Sequence, residues 1–255
     1  MFTIKSQSEI EKMKKAGEIL YGTLQLIKKN TVPGVTTKEL DRIAEEYITK
    51  NHATPSFKGY DVGLPGMEPF PASICASVNE EVVHGIPSLN PLKDGDIISI
   101  DIGVYLNGYH ADAARTFPVG TVTDEAQRLI DETRQSFFEG LEQMVVGNHI
   151  RDISVAIQNH AESKGFSVVR DFVGHGIGRN LHEMPDIPNY ATKRRGPRLE
   201  SGMTIAVEPM INAGGYSVKV LDNRWTVVTA DKSLSAHYEN TVAITNNGPV
   251  ILTRF

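Results

Sequence analysis

The chain of 255 residues has a formal net charge of -5 and is 40% hydrophobic, a composition typical of a soluble protein with enough apolar material for a core. The charge argues against a nucleic acid as partner, and no apolar run is long enough to cross a bilayer. Cys75 is the one cysteine, which excludes an internal disulfide. Because the N-terminus shows no signal-peptide pattern, we expect a cytoplasmic protein.

The first half opens with a pair of predicted helices. We expect Ser8 to cap the first helix, whose apolar residues recur at helical spacing until the Pro-Gly pair at 33–34 ends it. Residues 36–39 (Thr-Thr-Lys-Glu) are typical of a capping box and predict the start of a second helix. Residues 52–72 are rich in glycine, proline and aromatic side chains, which predicts a long functional loop.

Residues 96–115 predict a β-hairpin. Apolar and polar residues alternate with period two over residues 98–104, which indicates a strand with one apolar face. The pair Asn107-Gly108 is typical of a two-residue type I′ turn, because both central positions of that turn need a positive φ. The turn therefore fixes which residues of the two strands face each other.

Two aspartates share one face of this hairpin. In the predicted register Asp112 pairs with Gly103, and Asp101 pairs with Ala114. The two carboxylates would be diagonal neighbours, about 7–8 Å apart at Cα, with room left between them by the two small residues. Such a pair can bind one or two cations. The alternative is a pair of solvent-facing acids.

A helix pair recurs in the second half. We expect Thr123 to cap a third helix that ends at Gly147, and a fourth helix to stop at Gly165. Three pairs of positions share an offset of 113 residues (147 − 34), namely Gly34 with Gly147, Glu39 with Asp152, and Leu40 with Ile153. The repeat suggests two α+β halves related by a pseudo-two-fold axis within one domain, 1–255, with chance similarity as the alternative.

Two further acids occur on predicted strands. Glu208 ends a strand predicted over residues 202–208, and Glu239 lies on a strand predicted over residues 236–244. Both share a strand face with small side chains, as the hairpin aspartates do. Four converging carboxylates would repel one another without a cation, so a metal cluster is favoured over four independent exposed acids.

His175 offers a nitrogen donor for such a cluster. Its glycine-rich surroundings are not the dinucleotide fingerprint, and His182-Glu183 does not begin an H-E-x-x-H zinc helix because Pro185 opposes a helix there. One histidine and four carboxylates form an oxygen-rich site that favours Mn, Fe(II) or Co over a structural zinc. Two divalent ions about 3.5–4 Å apart are the usual hydrolytic use of such a set.

Five stretches, spread over nearly the whole chain, together resemble one known family. They are the hairpin and residues 71–87 (PASICASVNEEVVHGIP), 174–185 (GHGIGRNLHEMP), 202–209 (GMTIAVEP) and 235–239 (SAHYE). These motifs resemble type I methionine aminopeptidases of the bacterial type. The resemblance implies the pita-bread fold, an α+β fold with two related halves and a curved, mainly antiparallel sheet covered by helices. It also implies removal of the initiator methionine from nascent proteins, with preference for a small second residue.

The resemblance implies a dinuclear metal site and a role for each ligand. Asp101 would chelate one divalent ion, and His175 and Glu208 would bind the other. Asp112 and Glu239 would bridge both ions. The ions expected are Co, Mn or Fe(II), with Zn and Ni as further candidates, and a structural monovalent cation is expected elsewhere.

The resemblance also implies the catalytic roles. A bridging hydroxide would attack the scissile carbonyl, and Glu208 would accept the proton. His182 would bind the carbonyl oxygen and the tetrahedral intermediate, while His84 would contact the scissile amide nitrogen. The partners implied are nascent polypeptide N-termini at the ribosome, and the protein is expected to be a monomer without a membrane or nucleic-acid partner.

A methionine pocket is implied by the same resemblance. Its members would be Phe57, Tyr60, Phe70, Cys75, Leu181 and Trp225. Aromatic rings and a sulfur suit a flexible thioether. Leu181 stands where many members have phenylalanine, Phe70 stands where many have tyrosine, and residues 62–68 lengthen the loop. We therefore expect a departure in pocket shape and in selectivity for the second substrate residue.

Two alternative functions share the fold. Proline-specific aminopeptidases use the same five-ligand pattern, but their histidine motif differs from residues 174–183, and they usually carry a separate N-terminal domain. A pita-bread binding module that has lost its metal is the other alternative. The presence of all five candidate ligands argues against it.

Overall fold

The computed structural model describes residues 2–254. Its helices are α1 (Gln7–Asn30), α2 (Thr37–Lys50), α3 (Asp124–Glu142) and α4 (Ile150–Ser163). Its strands are β1 (Thr54–Pro55), β2 (Cys75–Val78), β3 (Glu81–Val83), β4 (Ile97–Leu106), β5 (Tyr109–Pro118), β6 (Ser167–Val168), β7 (Gly174–Gly176), β8 (Glu183–Ile187), β9 (Thr204–Val207), β10 (Met210–Asn212), β11 (Val218–Val220), β12 (Val227–Thr229), β13 (Ser235–His237), β14 (Asn240–Thr245) and β15 (Gly248–Ile251). The predicted α+β class is confirmed.

The strands pair antiparallel in four sheets. A four-stranded sheet has the order β1-β4-β2 with β5 also paired to β4, and a five-stranded sheet has the order β15-β14-β9-β7-β8. Two three-stranded sheets have the orders β13-β10-β6 and β11-β12-β3. None of the helices between residues 2 and 254 combines the length and the apolar content needed to span a bilayer.

The first two helices begin at hydroxyl caps. Ser6 caps α1, because its side chain accepts from the Glu9 N–H while the Glu9 carboxylate accepts from the Ser6 N–H. The predicted cap at Ser8 is wrong, since the glutamate three residues after Ser6 selects the earlier serine. Thr36 caps α2 as predicted, but the Glu39 carboxylate binds an arginine one turn along instead of closing a capping box.

The strands β4 and β5 form the predicted hairpin in the predicted register. Asn107 and Gly108 have φ of 51° and 87°, as a type I′ turn requires. Asp112 pairs with Gly103, and Asp101 pairs with Ala114 on the neighbouring strand. Both aspartates therefore lie on one face of the four-stranded sheet.

The space beside Gly103 is not left for a cation, which corrects the prediction from the sequence. A Cβ built on Gly103 would lie 2.7 Å from the Cβ of Ser56 and 2.9 Å from Cε1 of Phe57. The missing side chain thus lets the segment after β1 press against the hairpin. The absence of a side chain at Gly103 therefore serves to position Phe57, and it does not create space beside the two aspartates.

The predicted internal repeat reaches into the loops that follow the helices. Gly34 and Gly147 both have left-handed φ values, 92° and 100°. Their N–H groups donate to the carbonyls of Leu92 and Leu199 at 2.7 and 3.0 Å, and each leucine donates back to the residue after its glycine. In each half, the same two hydrogen bonds therefore connect the loop between the two helices to the segment that leads into the strands.

Beyond these leucines the equivalence continues at an offset of 107 residues (199 − 92). Gly95 and Gly202 share φ values of 94° and 92°. The same offset relates Asp101 to Glu208 (208 − 101). Two of the four acids thus occupy equivalent places in the two halves.

Glu208 and Glu239 lie at joints between sheets. Glu208 follows β9 and precedes β10, so the strand predicted over residues 202–208 ends one residue earlier than expected. Glu239 lies between β13 and β14, so the strand predicted over residues 236–244 is two strands with Glu239 at the break. At these joints the chain passes between the five-stranded sheet and the sheet β13-β10-β6. The N–H of Glu239 donates to the carbonyl of Ala114 on β5 at 3.0 Å, which brings this joint against the hairpin.

Several boundaries differ from the sequence-based expectation. The third helix ends at Glu142 instead of Gly147, and the strands β1, β7, β8, β10 and β15 are additional. His175 lies on β7 and not in a loop. The glycines on either side hide this strand from a pattern search: a Cβ on Gly174 or Gly176 would lie 2.3 Å from a backbone oxygen of a neighbouring strand.

Each half buries its sheet under its helix pair. One cluster packs α1 and α2 on the hairpin, with Leu20, Leu24 and Ile100 fully buried. Another packs α3 and α4 on the five-stranded sheet, with Phe137 and Ile205 fully buried. Each such side chain stabilises the fold by about 1.5–3 kcal/mol. Each helix pair thereby fixes the position of the sheet beneath it, and the first pair also fixes the hairpin that carries Asp101 and Asp112.

Candidate active site

One cavity gathers the residues predicted from the sequence. Its volume is about 260 Å³, and it lies between the hairpin, the five-stranded sheet and the loop over residues 57–70. Its lining residues are Phe57, Tyr60, Val62, Phe70, Cys75, His84, Asp101, Asp112, His175, Leu181, His182, Glu208, Trp225 and Glu239. All the predicted ligands, catalytic histidines and pocket residues are among them, with Val62 as the addition.

The acids and His175 converge at one end of this cavity. His175 Nε2 lies 4.0 Å from Asp112 Oδ2 and 3.8 Å from Glu208 Oε1. Asp112, His175 and Glu239 each present a potential ligand atom, and these atoms lie within 4.8 Å of one another. Asp101 and Asp112 are close enough to share a proton. The spacing is that of donors around a common centre.

The donor set fits divalent cations. One oxygen each of Asp101, Asp112 and Glu239 is buried without a hydrogen-bond partner among residues 2–254. A buried carboxylate without a partner is costly, and such groups normally bind a metal or an opposite charge. Oxygen donors with one imidazole suit hard or borderline divalent metals. The residues present can therefore hold the metals that the sequence resemblance implies.

The pKa values of the four acids reflect their burial and their closeness to one another. Burial raises the pKa of Asp101 to about 7. Burial and the neighbouring carboxylates raise the pKa values of Asp112, Glu208 and Glu239 well above their usual range. Without a cation the cluster therefore holds protons at neutral pH, and a cation would compete with those protons.

The backbone of its own strand orients the ring of His175, a candidate metal ligand. Its Nδ1 lies 2.8 Å from the carbonyl oxygen of Gly176, so Nδ1–H donates to that oxygen and Nε2 keeps its lone pair. Burial lowers the pKa of His175 to about 3, which keeps the ring neutral. A backbone acceptor on the far nitrogen is the usual way a protein orients a ligating histidine.

Two other histidines line the cavity. His182 packs edge-on against His175, with ring centroids 4.3 Å apart, and its Nδ1 lies 2.6 Å from the hydroxyl of Tyr60. His84 adopts a left-handed backbone with φ of 59°. Such strain in a non-glycine residue costs about 1–3 kcal/mol and is concentrated at functional sites. Burial lowers the pKa of His84 to about 4, and burial also lowers that of His182.

Apolar side chains form the other end of the cavity. The rings of Phe70 and Trp225 meet edge to face at 5.1 Å, and Trp225 Nε1 donates to the carbonyl of Glu68 at 3.0 Å. Cys75 is buried, and burial raises the pKa of its thiol, which keeps the sulfur uncharged. The result is a neutral pocket directly beside the acids.

Two residues near the site are missed by the sequence analysis. Val62 lines the cavity from the lengthened loop, and a lone valine in a glycine- and proline-rich segment carries no recognisable signal. The buried His237 places Nε2 3.8 Å from Glu208 Oε2, and that nitrogen has no hydrogen-bond partner among the described residues. His237 lies two residues before Glu239, and this spacing in the sequence was the signal that it lies near the site.

Comparison with known proteins agrees with this geometry. Residues 11–246 match the model of metallopeptidase family M24. A methionine aminopeptidase of Clostridium perfringens is 60% identical over 253 residues, covering 99% of either chain. The crystal structure of methionine aminopeptidase from Rickettsia prowazekii has a TM-score of 0.95 and 42% identity, with both chains fully covered. This agreement confirms the predicted pita-bread fold.

A proline-specific enzyme shares only the architecture. An Xaa-Pro dipeptidase from Bacillus anthracis has a TM-score of 0.76 at 23% identity, and the match covers 62% of that chain. Identity at that level indicates a common fold and nothing further. The match to the Clostridium enzyme, by contrast, extends over 99% of both chains. The chain therefore belongs to metallopeptidase family M24 and, within it, to the methionine aminopeptidases.

Proposed function

We propose that this chain is a metal-dependent aminopeptidase that removes the initiator methionine from nascent proteins and peptides, with preference for a small second residue. The observation that carries the proposal is that an acid cluster and a neutral, aromatic pocket line the same cavity. Hydrolysis at the cluster and recognition of an apolar side chain in the pocket then act on adjacent atoms of one substrate. Because the proposed substrates are nascent chains, the proposal includes a cytoplasmic location.

Five residues are proposed to hold two divalent ions. They are Asp101, Asp112, His175, Glu208 and Glu239. Mn, Fe(II) and Co are the leading candidates for such donors, with Zn and Ni as further ones. When bound, these ions would supply a nucleophile from water at neutral pH, a Lewis acid for the carbonyl and a contact for the free α-amine.

The side chains around the ions carry the remaining chemistry. Glu208, in reach of His175, accepts the proton that the attacking water loses. His182 donates Nε2–H to the carbonyl oxygen and to the negative charge that develops on it. His84 contacts the scissile amide nitrogen. These two histidines are neutral before substrate binds, because burial lowers both pKa values.

The pocket is proposed to select the methionine side chain. Phe57, Phe70 and Trp225 supply aromatic surface, and Cys75 supplies an uncharged sulfur. Methionine sulfur makes favourable contacts with aromatic rings. Exclusion of charge from this wall disfavours polar first residues, because a buried polar side chain would lack a partner.

Release of the first residue from two tripeptides tests the proposal. The full chain is stripped of metal and assayed on Met-Ala-Ser and Ala-Pro-Ser, before and after addition of Mn(II) or Co(II). We expect metal-dependent release of methionine from the first peptide only. Cleavage of the proline peptide instead would move the function to the proline-specific enzymes. No cleavage of either, with two ions bound, would contradict an aminopeptidase function.

A further inference from the structure

The rings of His175 and His182 pack against each other, but the hydrogen-bond partner of Nδ1 differs between the two histidines. His175 Nδ1 faces a backbone carbonyl, which can only accept, so His175 carries its proton on Nδ1. His182 Nδ1 faces the hydroxyl of Tyr60 at 2.6 Å, and a hydroxyl can donate. The two rings can therefore hold their protons on opposite nitrogens.

We infer that Tyr60 is a positioning residue that holds His182 in the tautomer protonated on Nε2, by donating its hydroxyl hydrogen to Nδ1. The inference rests on the proposed function, because it concerns the donor that His182 presents to the substrate carbonyl. It gives Tyr60 a role beyond lining the pocket.

The backbone around Tyr60 fixes the position of its side chain. Tyr60 N–H donates to the Phe57 carbonyl at 2.9 Å, and the Phe70 N–H donates to the Tyr60 carbonyl at 2.9 Å. The segment between Tyr60 and Phe70 is anchored again by Arg224 and Trp225, which donate to the carbonyls of Gly66 and Glu68. Tyr60 thus stands at the closed base of the lengthened loop, with its ring edge-on to His182 at 5.1 Å.

The direction of this hydrogen bond decides what His182 can do. If Tyr60 donates, Nε2 carries a hydrogen and can stabilise negative charge on a carbonyl oxygen. If His182 Nδ1 donates instead, Nε2 presents a lone pair, which repels that oxygen and competes as a metal ligand. The tyrosine hydroxyl stays protonated as a donor should, since burial raises the pKa of Tyr60.

The tautomer can be read directly in the full-length chain. Protein labelled with ¹⁵N-histidine is prepared without metal at about pH 8, and ¹⁵N–¹H correlation spectra distinguish protonated from bare ring nitrogens. The His182 signals are identified by their loss in His182→Gln. We expect a protonated Nε2 and a bare Nδ1 in the parent chain, and a mixture of both tautomers in Tyr60→Phe.

A matched control removes a hydroxyl elsewhere. Tyr109 donates its hydroxyl to Glu9 at 2.5 Å, so Tyr109→Phe loses a comparable bond outside the cavity. The His182 signals should be unchanged in that variant. A parent chain protonated on Nδ1, or a His182 tautomer that Tyr60→Phe leaves unaltered, would overturn the inference.

Kinetics of the metal-loaded protein give a second, independent reading. Tyr60→Phe should lower kcat about tenfold, the smaller end of what loss of an outer partner costs a metal-site histidine. In a His182→Ala background the same change should lower kcat less than twofold, because the tautomer no longer matters. Equal losses in both backgrounds would assign Tyr60 to the pocket alone and contradict the inference.

The two hypotheses fail separately. The spectra need no turnover, so they test the tautomer even if no peptide is cleaved. Absence of metal-dependent methionine release by the parent chain would reject the proposed function and leave the Tyr60–His182 assignment to the spectra.

Discussion

Thr241 on β14 and Asp112 on β5 exchange two hydrogen bonds. The Asp112 N–H donates to the Thr241 hydroxyl oxygen at 2.9 Å, and that hydroxyl donates to the Asp112 carbonyl at 2.9 Å. Thr241 is fully buried, and Asp112 is nearly so. One side chain of the second half thus holds a candidate bridging ligand that the first half provides.

Thr241→Val should loosen this connection without changing the volume of the side chain. The substitution leaves a buried N–H and a carbonyl without partners, which costs about 1–3 kcal/mol. We expect a lower free energy of unfolding and weaker Mn(II) binding, measured by urea denaturation and by titration calorimetry. Thr245→Val, at the far end of β14, likewise removes two hydroxyl bonds, one donated to the Gly248 carbonyl and one accepted from the Asn247 N–H, and should leave Mn(II) affinity unchanged. Equal affinities for both variants would argue that Thr241 does not position Asp112.

Asp112→Asn should abolish methionine release at saturating metal. A neutral amide of the same shape bridges two cations poorly. We therefore expect kcat to fall by more than the roughly 10–100-fold that is typical when a residue hydrogen-bonded to a metal ligand is replaced. The metal-free variant should nevertheless be folded, because it removes a crowded carboxyl group from a cluster of four. Near-parental turnover with Mn(II) would reject Asp112 as a shared ligand.

The metal-free protein should become less stable as pH rises above about 7. The pKa of Asp101 is about 7 in the folded chain and 3.8 in a free side chain, so the folded state retains a proton that the unfolded state has released. The pKa values of Asp112, Glu208 and Glu239 are also raised, so stability continues to fall as these acids lose their protons. The buried histidines have pKa values below the ordinary 6.5 and oppose this slope at lower pH, so thermal unfolding is measured between pH 7 and pH 9.

Bound Mn(II) should remove that slope. A cation stabilises the ionised carboxylates and lowers their folded pKa values, so the stabilisation by metal should be larger at pH 8 than at pH 5. A melting temperature of the metal-free protein that is independent of pH between pH 7 and pH 9 would contradict the protonated cluster.

Gly103→Ala should damage the pocket more than the metal cluster. The new Cβ would press on Ser56 and Phe57, and overpacking of this kind costs about 1–3 kcal/mol. Displacement of Phe57 should raise KM for Met-Ala-Ser, while Mn(II) affinity stays near the parental value. Gly215→Ala is the control, since its Cβ would lie 3.5 Å from Asp231 Oδ2, an ordinary van der Waals contact. A parental KM in Gly103→Ala would show that the pocket does not depend on this contact.

His182→Ala should lower kcat about 10²–10³-fold, which is the usual loss when one donor to a developing oxyanion is removed. KM should change little, because the bond strengthens mainly in the transition state. Steady-state kinetics on Met-Ala-Ser separate the two parameters. A change confined to KM would assign His182 to substrate binding only.

Local sequence signals predicted much of the site. The Asn107-Gly108 turn fixed the hairpin register, so the pairing of Asp101 and Asp112 with their neighbours followed from residue counting. The glycine breaks at 34 and 147 predicted the repeat, since few other residues adopt their left-handed φ. The identity of the ligands came from residue type together with the family resemblance.

Contacts between residues far apart in the sequence could not be predicted in the same way. Gly103 looked like space for a cation, yet Phe57, more than forty residues away, fills it. Glu208 and Glu239 looked like strand residues, although they lie at joints where the chain changes sheet. The Tyr60–His182 contact joins segments 122 residues apart and left no periodic trace. Each of these depends on how two distant backbones approach, which a local pattern does not encode.

The most direct test of the metal centre is an anomalous-scattering map of a crystal of the full chain loaded with Mn(II). Two peaks are predicted within the cavity, both in contact with Asp112 and Glu239, one also bound by Asp101 and the other by His175 and Glu208. No peak at this cluster at saturating Mn(II), or peaks held by other residues, would contradict the assignment of the five ligands.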